Sequence, residues 1–171
     1  MMSVSDMLNL KGFENMEVIA GSNGLNRKVT TVSVMDAPDI YKWMKGGEFL
    51  ITSAYPIKDD VAFITELILK LDQAGASAFG IKLHRFIDMF PDEAILLANE
   101  LNFPLIHIPI EFAFTDIINP VLTAIIDKQS ELLRFSEATH NTFTDIATKG
   151  KSVNEILDAL EKIVSKETAL I

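Results

Sequence analysis

The hydrophobic residues change their spacing repeatedly along the chain, from short runs and alternations to the three- and four-residue spacing of helices. Continuous apolar runs predict three strands that are covered on both faces, at residues 49–51, 78–81 and 105–108. The β-branched residues Val29, Val32 and Val34 predict one further core strand, and a shorter strand is expected at residues 18–20. Because helical patterns separate the last three runs, we expect a mostly parallel sheet with right-handed crossover helices.

Two of these crossover helices have clear boundaries in the sequence. Asp59 or Asp60 can cap a helix that Gly75 closes, and its apolar stripe consists of Val61, Ile64, Leu67, Ile68 and Leu71. Pro91 suits the first turn of the next helix, which continues to residue 101. A short helix is also expected after Ser3 or Ser5. The fold class predicted for residues 1–112 is therefore an α/β domain.

A long linker helix is predicted to follow, within residues 113–150. Residues 115–149 contain one proline and no glycine. A broken heptad pattern runs along it through Ile118, Val121, Ile125, Leu132, Phe135 and Ile146. We expect the first half of the helix to pack on the domain and the second half to pair with a second copy of the chain. A helix folded back on its own chain remains the alternative.

Residues 151–171 predict the start of a second domain, with a capping-box pattern at its beginning. The last residues look more like the opening of a strand than a natural end. We therefore expect the chain to be part of a longer protein, and this second domain to be truncated.

Composition and charge narrow the possible classes of protein. The chain has 171 residues, 49% of them hydrophobic, and it has no cysteine, so disulfides and cysteine-based metal sites are excluded. Uncharged stretches are far shorter than the roughly 20 residues of a membrane span, and no export signal is recognisable. A cytoplasmic protein is expected. With a net charge of −9, the chain alone should not bind DNA tightly.

No residue pattern indicates catalysis, a metal site or a cofactor. Gly150-Lys151-Ser152 ends like a phosphate-binding loop, but Asp145 stands where that motif needs glycine. His84, His107 and His140 are too scattered to form a ligand pair on one helix, and His107 is expected to be a hydrogen-bonded core residue. A small hydrolase is the least favoured of the functions considered.

Polar residues follow each predicted core strand. In parallel α/β sheets, ligands bind beyond the carboxyl ends of the strands. The residues at these positions are Asp36, Thr52, Ser53, Lys82, Arg85 and Glu111. Together they predict a site for a small polar molecule, and the two neighbouring cations indicate a nearby anion or carbonyl group. The alternative is that strand ends are polar simply because loops meet water.

Several segments resemble the N-terminal domain of the purine catabolism regulator (PucR) family of bacterial transcription factors. The most specific are a W-x-x-GGE-x-L-x-T pattern at residues 43–52 and a P-L-I-x-I-P pattern at residues 104–109. Further matching segments extend the resemblance over roughly residues 3–120. The first pattern adds Glu48 to the candidate ligand-binding residues.

The resemblance implies an effector-input domain that binds a small catabolic metabolite, such as a purine, a ureide or another nitrogen or carbon source. It also implies a DNA-binding helix-turn-helix in a C-terminal domain that is not in this chain. We expect a homodimer without membrane contact. A dimerisation or scaffold module that binds no ligand is the alternative.

Overall fold

The computed structural model describes the backbone of residues 1–149 and the side chains of residues 1–141, 144 and 148. Along the chain, the elements are β1 (Met2–Ser3), α1 (Val4–Leu8), β2 (Glu17–Ala20), β3 (Lys28–Val29), β4 (Thr31–Val34), β5 (Glu48–Thr52), α2 (Phe63–Gln73), β6 (Ala78–Ile81), α3 (Asp92–Leu101), β7 (Leu105–His107) and α4 (Phe114–Lys149). The chain divides into two compact units, residues 1–127 and 128–171.

Five strands form the main sheet of the first unit, in the order β2-β7-β6-β5-β4. The last four of these run parallel, as predicted, and β2 pairs antiparallel with β7. The strands β4, β5, β6 and β7 all end at the same edge of the sheet, which we call the carboxyl edge. The opposite edge is called the amino edge. The predicted mixed α/β architecture and the long C-terminal helix are confirmed.

The first predicted core strand is divided in two. Lys28 and Val29 pair with β1 in a separate two-stranded ribbon, whereas β4 joins the main sheet. The backbone N–H of Thr30, between them, donates to the carbonyl of Gly47 at 2.8 Å. The β-branched segment that predicted one strand therefore spans two strands that belong to different sheets.

Helices cover both faces of the main sheet. Since side chains alternate between the two faces along each strand, neighbouring residues of one strand pack against different helices. Leu50, Phe79 and Leu105 pack with α2 and α3. Phe49, Ala78 and Ile106 pack with α1 and the first turns of α4. We call these the α2/α3 face and the α1/α4 face.

The predicted heptad residues have different environments in the structure. Val121 and Ile125 are buried in the core on the α1/α4 face, and Ile118 is half-buried against the same cluster. These three side chains are used by the fold of the domain, which agrees with the expectation that the first half of the helix packs on it. Leu132 is 54% exposed, and Phe135 is half-buried. The capping-box pattern at residues 152–155 lies outside the described residues.

Within residues 1–149, no helix is both long and apolar enough to cross a membrane.

Candidate functional site at the carboxyl edge

The parallel strands bring most of the predicted site residues to the carboxyl edge. Thr52 ends β5, Ser53 follows it, and Lys82 directly follows β6. Asp36, Arg85 and Glu111 lie in exposed segments after β4, β6 and β7. The strand direction inferred from the sequence therefore agrees with the position of these residues after the strand ends.

The placement of Glu48 with these residues was wrong. Glu48 is the first residue of β5, so it lies at the amino edge, opposite Thr52. Its buried carboxylate accepts the backbone N–H groups of Lys45 at 2.7 Å and Gly46 at 2.9 Å. The resemblance pointed to Glu48, but its contacts give it a structural role in the turn before β5.

Thr52 and Lys82 share an edge but face opposite sides of the sheet. In the strand register, Thr52, Ile81 and His107 are directly paired, and Ile81 packs on the α2/α3 face. Because alternation turns the next residue over, Lys82 points to the α1/α4 face. These two side chains cannot line one pocket on a single face, which the positions of strand ends alone did not reveal.

Both polar groups are also engaged by the chain itself. The Thr52 hydroxyl is buried and accepts the backbone N–H of Ala54 at 3.0 Å. The Lys82 ammonium donates to the carbonyl of Phe112 and lies 4.6 Å from the centroid of the Phe114 ring. A carbonyl near the two cations was expected, and the structure supplies one from its own backbone.

Burial lowers the pKa of Lys82 below its usual range because the charged form loses hydration. Repulsion from Arg85 lowers this pKa further, whereas Asp116 acts in the opposite direction. Arg85 itself is exposed and lies over the Phe86 ring, 5.4 Å from the ring centroid. Of the two cations, only Arg85 is exposed to solvent.

His107 differs from its expected role. Its Nδ1 atom is buried and has no hydrogen-bond partner among the described residues. The ring of His84 stands edge-on to it, with the ring centroids 6.1 Å apart. His84 is exposed and adopts a left-handed backbone conformation, with φ of 65°. A buried polar atom without a partner is uncommon, so His107 becomes a candidate that the apolar strand pattern had concealed.

An open cleft of about 640 Å³ lies at the carboxyl edge on the α2/α3 face. It lies between the segment that begins α2 and the segment that begins α3, and its lining residues are Val61, Ala62, Thr65, Met89, Phe90, Pro91, Asp92 and Glu93. None of the predicted ligand-binding residues belongs to this lining. The start of α3 was predicted to within one residue, whereas α2 begins at Phe63, after the predicted cap residues Asp59 and Asp60. Which side chains face each other across the two helix starts depends on how the helices pack.

Within the described residues, no three histidine or acidic side chains are grouped so that they could hold a metal ion.

Comparison with known proteins adds a family to this geometry. The model of the purine catabolism regulatory protein-like family matches residues 6–125. A curated relative, the purine catabolism regulatory protein of Bacillus subtilis (strain 168), is 34% identical over 170 residues, which are 99% of this chain and 32% of the relative. The chain thus spans about a third of the relative's length. No solved structure matches the chain significantly.

Proposed function

Since the chain belongs to the purine catabolism regulatory protein-like family, we propose that it is the effector-sensing part of a cytoplasmic bacterial transcriptional regulator and has no catalytic activity of its own. A small catabolic metabolite, such as a purine, a ureide or another nitrogen or carbon source, binds at the carboxyl edge. The long helix transmits the signal to a C-terminal helix-turn-helix that is not in this chain. Contact with DNA is made only through that domain.

The observation that carries this proposal is the cleft of about 640 Å³. It opens at the edge where parallel α/β sheets bind ligands, and its volume suits a small molecule. Apolar side chains such as Phe90 and Met89 can cover the face of a flat ligand, while Thr65, Asp92 and Glu93 can meet its polar groups. Ser53, Arg85 and His107 surround the same edge.

A ligand can act as a signal only if it binds one arrangement of the chain better than another. The cleft suits this requirement because it is lined by the starts of two different helices and the residues just before them. A molecule that contacts both Ala62 and Phe90 stabilises one spacing between them. We propose that this spacing is the first step of the response.

A thermal-shift screen with purines, ureides and amino acids tests the proposal. A ligand at 100 times its dissociation constant stabilises the fold by about 2.7 kcal/mol, which raises the Tm by roughly 5–10 °C for a chain of this size. Ala62→Trp fills the cleft and should abolish the shift. Gln73→Trp, an exposed position at the other end of α2, should retain it.

If no compound in the panel raises the Tm of the wild-type chain, the sensing proposal fails and the ligand-free scaffold is favoured. If a compound raises the Tm of Ala62→Trp as much as that of the wild type, the ligand binds elsewhere. Conversion of any compound during the screen would contradict the absence of catalysis.

A further inference from the structure

Lys82 is the feature of the carboxyl edge that the proposed site leaves unexplained. Its side chain is only 4% exposed, and it connects two parts of the first unit. It begins the segment between β6 and α3, but its ammonium donates to the carbonyl of Phe112, just before α4. It also lies over the ring of Phe114, the first residue of α4.

Burial of the Lys82 ammonium is energetically unfavourable compared with burial of an apolar side chain. A buried ammonium loses most of its hydration, and one neutral carbonyl, one aromatic face and the charge of Asp116 offset that loss only in part. The lowered pKa of Lys82 has the same cause. An apolar side chain of similar length would pack there at lower cost. What the ammonium adds is a directional contact that fixes the Phe112 carbonyl, and therefore where α4 begins.

The segment that starts with Lys82 ends at the cleft. Residues 82–91 connect β6 to α3, and their last three members, Met89, Phe90 and Pro91, line the cleft. The segment is braced internally, since His84 N–H donates to the Ile87 carbonyl at 2.8 Å. Leu83 and Ile87 are buried in the core on the α2/α3 face. Phe90 and Lys82 are therefore joined by a short, packed segment.

We propose that Lys82 holds the start of α4 in one position. We also propose that occupation of the carboxyl-edge cleft alters the start of the long helix through Lys82, which we call the passing role. The holding role stands on the contacts of Lys82 alone. The passing role rests on the proposed function, because it assumes that the cleft is where the signal arrives. Lys82 is thus a positioning residue and makes no contact with the effector.

Hydrogen exchange of the whole 171-residue chain tests the holding role without any ligand. Lys82→Met removes the charge and keeps the length of the side chain. We expect the backbone amides of residues 116–119 to exchange at least tenfold faster in this variant than in the wild type. Amides of β5 and β6 should keep their protection.

Lys70→Met provides a matched control. Lys70 also lies 4.6 Å from the centroid of an aromatic ring, that of Tyr41, and it donates to the Tyr41 hydroxyl at 3.1 Å. It belongs to α2, which packs on the face of the main sheet opposite to α4. Its replacement should leave exchange at residues 116–119 unchanged. Equal effects of the two variants on α4 would overturn the holding role.

Two further variants complete the test. Should Lys82→Met not fold, Phe114→Leu removes the aromatic face and should also accelerate exchange in the first turn of α4; wild-type rates there would overturn the proposal. In Ala62→Trp, the introduced indole side chain takes the place of a ligand in the cleft. It should change exchange at residues 116–119 at least threefold when Lys82 is present, and not when Lys82 is replaced by Met.

An unchanged α4 in Ala62→Trp would refute the passing role. This outcome is independent of the thermal-shift screen, which tests whether a metabolite binds and does not test how α4 responds.

Discussion

Gly46 and Gly47 shape the chain immediately before β5. Both have positive φ angles, 94° and 83°. The Gly47 N–H donates to the carbonyl of Gly75 at 2.8 Å, and Glu48 then closes the turn through its carboxylate. The motif that carries much of the family resemblance therefore builds the amino edge, and the proposed ligand site lies at the opposite edge.

Replacement of Gly47 by alanine tests this structural role. A Cβ atom at Gly47 would lie 2.4 Å from Oγ1 of Thr30, and the left-handed conformation adds roughly 1–2 kcal/mol. We expect Gly47→Ala to lower the free energy of unfolding by about 2–4 kcal/mol in urea denaturation. Gly12→Ala is the matched control, because Gly12 also has a positive φ but no atom lies within 4 Å of its Cβ position. Equal losses for both variants would contradict the steric argument.

The charge of Lys82 should make its contribution to stability depend on pH. The pKa of Lys82 is lowered in the folded state from its usual 10.5, so the unfolded chain binds more protons between the lowered value and 10.5. The free energy of unfolding therefore gains a term that rises with pH in that window. Arg85 strengthens the shift and Asp116 weakens it.

Urea denaturation at neutral pH and at about pH 10, the upper part of that window, measures this term. We expect the stability of the wild type relative to Lys82→Met to increase with pH. A difference that stays constant or decreases would show that the ammonium is not desolvated in the folded state.

At the level of elements, continuous apolar runs were sufficient to locate the parallel strands. Residues 78–81 match β6, and residues 105–108 extend β7 by one residue. Of the predicted apolar stripe, Ile64, Leu67, Ile68 and Leu71 are the buried residues of α2, whereas Val61 precedes the helix and is 36% exposed. These predictions succeed because burial on both faces of a strand, or on one face of a helix, produces a characteristic spacing of apolar residues in the local sequence.

Pairings between distant segments were not accessible in the same way. The antiparallel direction of β2 against β7 and the division between β3 and β4 depend on contacts across the chain. Strand ends predicted the edge shared by Thr52 and Lys82. Only the register Thr52–Ile81–His107 shows that these two residues face opposite sides. The cleft lining was missed for the same reason, since it depends on the packing of α2 against α3.

For the molecule as a whole, net charge bears on the proposal that sensing and DNA contact lie in different domains. The chain carries 24 acidic and 15 basic residues, a net charge of −9. Repulsion from DNA phosphates is consistent with the proposal that another domain makes that contact. The proposed regulator needs a physical connection between sensing and DNA contact, and we propose that α4, with 36 residues, provides it.

Self-association of the whole chain remains a prediction. The structure changes which residues are available for a dimer interface. Val121 and Ile125 are already buried in the domain. Leu132 and Leu133 expose 54% and 61% of their surfaces, and hydrophobic residues on a long helix favour pairing with a second copy. Sedimentation equilibrium should give a dimer mass for the wild type and a monomer mass for the double variant Leu132→Ser, Leu133→Ser. Glu131→Gln, at an exposed neighbouring position, should remain dimeric; a monomeric wild type would refute pairing through α4.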